Sequence, residues 1–305
     1  MISLETLSLE RKIILQKLIQ QYIILIYSEE SDSTWHTKAQ QIWNQCDNDI
    51  EKKWVANTLI STQEKEPSLF EMATEEGHWR ACLDLLKQGS DSSVPFSSGR
   101  YLWSSLLKSM IRNGWIAIGK DNQNFKKPDK LDQFLLFLEK VAPHTPASTG
   151  QGEWGSVQNI VMLRNPFIVE PALNILKASG HDLDMQDSFG ETGFLLACWL
   201  ANPKLIQWFS KQGVKIDTQT QGGWGAWEMM TRSSTLISKY EPDFEPQLFE
   251  ALNTLNIIFP CESDLFQKII EEKLHRLEDR IPFQKWLISH QLPQSKNTSG
   301  KSIRL

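Results

Sequence analysis

The feature that most constrains the fold of this chain is a repeat of 33 residues. Gly190 and Gly223 are separated by this interval, and so are Gly180 and Gly213. The stretch from Met185 to Trp227 contains a turn, two short apolar segments with a break between them, and a closing glycine, after which the cycle restarts. A period of this size is typical of stacked supersecondary units and not of one globular core.

This unit resembles an ankyrin repeat, which consists of a β-turn, two short antiparallel helices and a connection to the next turn. Seven residues match the positions of the family's turn, helix start, small interior residue and closing turn: Asp187, Gly190, Thr192, Ala197, Gly213, Ile216 and Asp217. The chain also departs from the family pattern. Residues 192–195 read Thr-Gly-Phe-Leu in place of Thr-Pro-Leu-His, and Ala201 stands where the family has a glycine between its helices.

An earlier copy of the unit, residues 68–91, matches the ankyrin pattern more closely. Its matching residues are Ala73, Gly77, His78, Leu85, Leu86, Gly89 and Asp91, and the next turn glycine, expected at 99, is Gly99. Glycine adopts the left-handed conformation without a steric penalty, so we expect glycines to end helices here. Because one such unit cannot bury its apolar face alone, neighbours must stack. The resemblance therefore implies an all-α, ankyrin-like helical repeat solenoid.

Residues 1–65 are predicted to form an N-terminal helical cap, which covers the apolar side of the first repeat. Helical spacing predicts two helices, near residues 3–29 and 34–62, with Ser3 capping the first. The first helix includes the very apolar run 22–27. Lysines and glutamines keep this helix short of the roughly 18 uninterrupted apolar residues that a membrane span needs. We therefore predict a buried helix and no membrane segment.

The remainder of the chain is predicted to contain the repeats, a C-terminal cap and a tail. Residues 66–260 are predicted to form about five irregular repeats, the second of which is interrupted by a polar insertion at 113–130. Repeats tolerate such insertions on one face. Residues 261–292 are predicted to form a C-terminal helical cap, and residues 293–305 a flexible tail.

Composition argues against nucleic-acid binding and indicates a compartment. The formal net charge is −5 and the basic residues are scattered, so the sequence lacks the basic patch of a nucleic-acid-binding protein. Four cysteines lie far apart and have no CxxC spacing: Cys46, Cys82, Cys198 and Cys261. This usage, together with an N-terminus unlike a signal peptide, predicts a protein of the reducing cytoplasm.

Motifs that could support chemistry are weak. Gly150, Gly152 and Gly155 form a GxGxxG, but no strand can precede it, so it does not predict a nucleotide cofactor. The six histidines are single and lack zinc-ligand spacing. His78 is expected to open the second helix of its repeat, and His181 to be exposed. We predict no catalytic residue, cofactor or metal ligand. The alternative is an enzyme or nucleotide-dependent switch with a site in the caps or in the 113–130 insertion.

Surface turns are then the best candidates for function. In ankyrin-like stacks the turns project as fingers and form a concave recognition face with the first helices. By the resemblance, the fingers here lie at about residues 92–99, 152–156, 186–191 and 219–225. Exposed aromatic residues are typical of interfaces. The predicted partner-binding residues are Trp154, Gln186, Phe189, Gln221 and Trp224. The alternative for each aromatic ring is that it folds onto a neighbouring turn.

These observations predict a non-catalytic module that binds another protein, and neither nucleic acid nor a membrane. Irregular repeats and insertions indicate specialisation to one partner. Two specific forms of this function are a toxin-neutralising immunity protein and an effector directed at a host protein. The residues do not distinguish between them.

Overall fold

The structure, a computed structural model, describes residues 8–57, 67–96, 102–115, 127–147, 154–230 and 244–260. These residues form α-helices joined by turns, and no extended strand is among them. The fold separates into two compact units, one formed by the described residues up to Asp182 and the other by those from Leu183 onwards.

In the first unit, six helices follow one another as pairs: α4 (Leu69–Glu76), α5 (Trp79–Lys87), α6 (Leu102–Arg112), α7 (Leu131–Val141), α8 (Ser156–Val161) and α9 (Pro166–Ala178). The first helices of the pairs pack together, with α6 in contact with both α4 and α8. The second helices form a parallel layer, in which α7 contacts both α5 and α9. Stacking of this kind buries the apolar face that each pair presents.

The second unit contains α10 (Gly193–Trp199), α11 (Pro203–Gln212), a helical segment at residues 226–230 (α12) and α13 (Phe244–Ile258). Helix α11 packs against both α10 and α13. The predicted all-α arrangement of ankyrin-like helix pairs is therefore confirmed within each unit. Residues 116–126 of the predicted insertion, the predicted C-terminal cap and the predicted tail lie outside the described residues.

Three further helices precede the first pair: α1 (Leu9–Ile26), α2 (Asp32–Trp43) and α3 (Asp49–Asn57). Helix α1 contacts α2 and α3, and both α1 and α3 pack on α4. The prediction that the first helix begins near residue 3 is wrong. Ser8 has extended backbone angles (φ −61°, ψ 153°), and its hydroxyl accepts the N–H of Arg11, so the helix starts after it. Ser3 itself lies outside the described residues.

The single helix predicted over residues 34–62 is also wrong, because the chain turns between α2 and α3. Asn48 causes the break. Its side-chain Oδ1 accepts the backbone N–H groups of Ile50 and Glu51, each at 3.0 Å. Asparagine favours such a capping position over the interior of a helix, so a new helix starts here. Residues 58–62 lie outside the described residues.

An ion pair fixes α3 against α1. The guanidinium of Arg11 donates from Nε to Glu51 Oε1 at 2.8 Å, and from Nη2 to Glu51 Oε2 and to the carbonyl of Gln45. Glu51 also accepts the backbone N–H of Asp47 at 2.7 Å. The hydrogen bonds from Arg11 hold the pKa of the Glu51 carboxyl below its ordinary value. The α2–α3 turn is therefore tied to α1 through one buried side chain.

A second polar contact joins these helices to the first repeat. Asp84 of α5 accepts two hydrogen bonds on Oδ2, one from the hydroxyl of Tyr22 and one from Nε1 of Trp43, both at 2.6 Å. Tyr22 and Trp43 are buried, and their polar atoms need a partner there. The packing of α1 and α2 on α5 is thus directed by a carboxylate as well as by apolar area.

In the four helix pairs from α4/α5 to α10/α11, a residue after the first helix lies in the left-handed region: Gly77 (φ 73°), Gly114 (69°), Arg164 (60°) and Ala201 (47°). A residue with a side chain is strained there, because its Cβ approaches the following carbonyl oxygen. Ala201 therefore keeps the turn geometry expected of a glycine. Its N–H donates to the carbonyl of Cys198 at 2.9 Å, so the hydrogen bonding of the helix end holds it in that conformation.

His78 follows the first of these turns and is the N-cap of α5, as predicted. Its ring is half-buried and meets the ring of Tyr27 edge to face, with centroids 5.3 Å apart. Burial, reinforced by the positive charges of Lys130 and Arg80, lowers the pKa of His78 from 6.5 to about 4. The folded protein therefore holds this imidazole neutral in mildly acidic solution.

We predict that Ala201→Gly is far less destabilising than Ala197→Gly. Both alanines are fully buried, so each change removes the same methyl group. Gly at 201 relieves the left-handed strain, whereas Gly in the middle of α10 weakens the helix, so the two free energies of unfolding should differ by at least about 1 kcal/mol. Urea denaturation of both variants measures the difference. Equal losses would mean that the turn at 201 is unstrained.

We predict an acid-dependent loss of stability due to His78. Above pH 6.5 the ring is neutral in both states and its contribution to stability is fully present. As the pH falls toward 4, the unfolded chain binds a proton that the folded protein excludes, so stability is lost. Between pH 7 and about 4.5 the wild type should lose on the order of 1–2 kcal/mol more than His78→Gln, after a discount for solvent screening of the half-buried ring. Parallel denaturant titrations check this, and identical losses would contradict it.

Candidate functional site

The candidate site is formed by two turns of the second unit, and Asp187 organises the first of them. The N–H of Asp187 donates to the carbonyl of Glu191, and the N–H of Gly190 donates to the carbonyl of Asp187, both at 3.1 Å. The carboxylate Oδ1 of Asp187 also accepts the N–H groups of Phe189 (2.9 Å) and Glu191 (2.7 Å). An aspartate that accepts from residues two and four positions ahead is a turn-forming device. The repeat pattern places Asp187 in the turn but does not indicate this role.

The second turn repeats this geometry 33 residues later. The N–H of Thr220 donates to the carbonyl of Trp224 at 3.0 Å, and the N–H of Gly223 donates to the carbonyl of Thr220 at 2.9 Å. The hydroxyl of Thr220 replaces the carboxylate and accepts the N–H of Trp224 at 3.1 Å. Gly190 and Gly223 have nearly the same φ, 78° and 74°. The 33-residue interval read from the sequence is therefore a repeat of structure.

The two turns are hydrogen-bonded to each other. The N–H of Gln221 donates to the carbonyl of Phe189 at 2.8 Å, and the side chain of Gln186 reaches the carbonyl of Gln219 at 3.5 Å. The contact leaves no space for a side chain at Gly190, where a Cβ would lie 2.8 Å from the backbone nitrogen of Gln221. The turns thus form one continuous surface with a defined register.

Three of the predicted partner-binding residues are exposed on this surface. Phe189 lies at the tip of the first turn with 62% of its area exposed, and Gln186 and Gln221 are also exposed. The backbone bonds above bring the three residues onto adjacent turns. The alternative, in which the ring folds onto a neighbouring turn, is therefore wrong for Phe189.

Trp224 is half-buried and lies over its own turn. A Cβ built on Gly222 would be 3.4 Å from Cε2 of the Trp224 ring, so the indole covers the space that this glycine leaves open. Part of the ring remains accessible. Trp154 belongs to the first unit, is half-buried, and precedes α8, where its carbonyl accepts a hydrogen bond from Nδ2 of Asn159 at 2.6 Å. A partner contact by either tryptophan stays a prediction.

His181 is buried, so the expectation that it is exposed is wrong. Its Nε2 lies 2.8 Å from the carbonyl of Ala142, and its Nδ1 lies 2.8 Å from the hydroxyl of Ser156. A carbonyl can only accept, so Nε2 donates to Ala142, and in the neutral ring Nδ1 then accepts from Ser156. Because Ser156 is itself fully buried, this pair joins repeats and is closed to substrate. The three residues are distant in sequence, so no local pattern indicated the contact.

The described residues contain no group of three or more histidine, cysteine, aspartate or glutamate side chains that could hold a metal ion. Burial raises the pKa of the Cys46 thiol to about 11 and of the Cys82 thiol to about 12, and it raises the pKa of Cys198 further. A thiol that stays protonated is a poor nucleophile. Cys261, Gly150 and Gly152 lie outside the described residues. Within the described part of the chain, no helix is long and apolar enough to span a membrane.

The chain was compared with family models, curated proteins and solved structures. No protein-family model matches the chain, and no curated protein matches it. Among solved structures, the chain is similar to the crystal structure of EF0377, an ankyrin repeat protein, at 14% sequence identity and a TM-score of 0.38, over 66% of this chain and 96% of that one. A likeness at this level adds nothing to the turn and helix geometry described above.

We predict that Gly190→Ala destabilises the second unit more than Gly213→Ala. Both glycines have a left-handed φ, 78° and 75°, so each alanine is strained in the same way. Only at Gly190 would the new Cβ collide with backbone, while at Gly213 no atom lies within 4 Å. We expect a loss of about 1 kcal/mol for Gly213→Ala and at least about 2 kcal/mol for Gly190→Ala. Thermal or urea unfolding measures both, and equal losses would contradict the turn–turn contact.

Proposed function

We propose that this protein is a non-catalytic protein-binding module that recognises a partner protein through the paired turns of its second unit. The observation that carries the proposal is the exposure of Phe189 at a turn tip, 62% of its area. A large apolar side chain at such a position contributes little to the core. Aromatic side chains of this kind are frequent anchors of protein interfaces.

The backbone around Phe189 supports this role. Its N–H is bonded to Asp187 Oδ1 and its carbonyl accepts from Gln221, so both polar groups of the residue are fixed before any partner binds. A binding residue on a fixed backbone loses less conformational entropy on association than one on an unconstrained loop. Phe189 is therefore a preorganised anchor.

Polar residues surround this anchor. Gln186 and Gln221 are exposed on the same two turns and offer both donors and acceptors to a partner. Trp224 would add the accessible part of its half-buried ring. An apolar centre with a hydrogen-bonding rim is the usual composition of a protein interface. Trp154 is proposed as a separate contact of the first unit.

We also propose that the protein works in a reducing compartment. The described cysteines, Cys46, Cys82 and Cys198, are free and buried, which supports a compartment in which thiols stay reduced. A cytoplasmic immunity protein that neutralises a toxin and an effector that binds a host protein would both use a surface of this kind. The two differ in whether binding inhibits the partner's activity.

We predict that Phe189→Ala weakens partner binding at least about tenfold, the effect expected of a central aromatic anchor. The matched control is Ile257→Ala on α13, which removes a side chain that is 74% exposed and belongs to neither turn. Proteins captured from the native source by the wild type are quantified by mass spectrometry for each variant, and unfolding curves verify that both variants remain folded.

A partner retained by Ile257→Ala and lost by Phe189→Ala is the expected result. A photo-crosslinking residue at 189 and at 257 provides a second measurement, and we expect a covalent adduct from position 189 alone. If Phe189→Ala binds as tightly as the wild type, or if position 257 crosslinks equally well, the paired turns are not the recognition surface.

A further inference from the structure

The charged residues of the paired turns are mostly acidic. Over residues 183–192 and 214–225 there are four carboxylates and one lysine: Asp184, Asp187, Glu191, Asp217 and Lys215. The chain as a whole has a net charge of −5, so these two short segments contribute a large part of it. The two other lysines between residues 183 and 230 are Lys204 and Lys211, and both lie on α11. Between residues 183 and 230, negative charge is concentrated at the turns.

Hydrogen bonds bring together the two segments that carry these carboxylates. The N–H of Lys215 donates to Oδ1 of Asp184 at 2.8 Å, which continues the register set by Gln186 with Gln219 and by Phe189 with Gln221. The segment leading to the second turn therefore runs beside the segment leading to the first. Screening at physiological ionic strength acts over about 8 Å, so carboxylates on adjoining segments reinforce one another's field.

Asp217 is the clearest solvent-facing member of this group. It lies between Lys215 and Gln219, in the segment beside residues 184–186, and it is exposed. Asp184 and Asp187 use one carboxylate oxygen each to hold the backbone of the turns, so a change there would alter the fold. Asp217 can be changed to test the charge alone.

We propose that the partner presents a cationic surface to the paired turns: an apolar site that receives Phe189, bordered by arginine or lysine side chains. This inference rests on the proposed function and names the class of partner. A concentrated negative field accelerates association with cations and disfavours anionic partners. Arginine fits best, because its planar guanidinium pairs with carboxylates and stacks on aromatic rings such as Phe189 and the accessible part of Trp224.

Charge complementarity also decides against the other occupants of this surface. Nucleic acid and an anionic membrane surface would be repelled by the carboxylates. A second copy of the chain that docked turn against turn would place like charges opposite one another, which disfavours association. A basic segment of another protein satisfies both the exposed ring and the charge around it.

The test uses the full-length chain as bait for a displayed random-peptide library, with the Phe189→Ala variant as the counter-selection target. Peptides that bind the wild type and not the variant are sequenced. One enriched peptide is then synthesised with a fluorescent label, and its affinity is measured by anisotropy for the wild type, Asp217→Lys and Glu250→Lys. Glu250 is exposed on α13, outside the two turns, so its reversal changes the net charge equally.

We expect the enriched peptides to be rich in arginine and lysine next to an apolar residue. Asp217→Lys should weaken the labelled peptide about fivefold or more, and Glu250→Lys by less than about twofold, as expected for a charge within and a charge beyond the contact. Raising NaCl from about 50 to about 250 mM should weaken binding to the wild type, since exposed charges are screened.

Two other outcomes would overturn the inference, and they are distinguishable. Neutral or acidic peptides whose binding depends on Phe189 but not on Asp217 or salt would leave the proposed function intact and refute the cationic partner. The absence of any peptide that distinguishes the wild type from Phe189→Ala would contradict the anchor itself, and with it both proposals.

Discussion

The hydrogen bond from the N–H of Gln221 to the carbonyl of Phe189 is the contact on which the candidate surface depends. At 2.8 Å it joins successive turns, and it forms only because Gly190 has no side chain to separate them. A neighbouring backbone within bonding distance makes an exposed turn rigid. The same bond therefore produces the register of the turns, the fixed presentation of Phe189 and the proximity of the carboxylates that we propose attract a cationic partner.

Buried polar side chains play a comparable part in the first unit. Asp84 joins α5 to Tyr22 and Trp43, and His181 joins Ser156 to the carbonyl of Ala142. Apolar stacking alone would allow helices to slide or rotate, since it has no direction. A buried donor that must meet one acceptor removes that freedom, because leaving it unpaired is costly. These contacts select one arrangement among many of similar buried area.

Much of the architecture could be predicted because its signals are local. The left-handed glycines at 180 and 213 end their helices as expected. Phe189 and its exposed neighbours Gln186 and Gln221 could be placed on turns by the period together with the resemblance to ankyrin repeats. The division between α2 and α3 could not be predicted from apolar spacing, which indicates one helix across both. The capping tendency of Asn48 divides them.

The sequence by itself determined the repeat, since a period of glycines and apolar segments records backbone requirements that each unit meets locally. It also determined which residues occupy the turn tips. Only the tertiary structure decided that Trp224 lies over Gly222 while Phe189 faces solvent, and that His181 is buried between Ser156 and Ala142. Burial and hydrogen-bond partners depend on residues far away in the chain, and no local pattern contains that information.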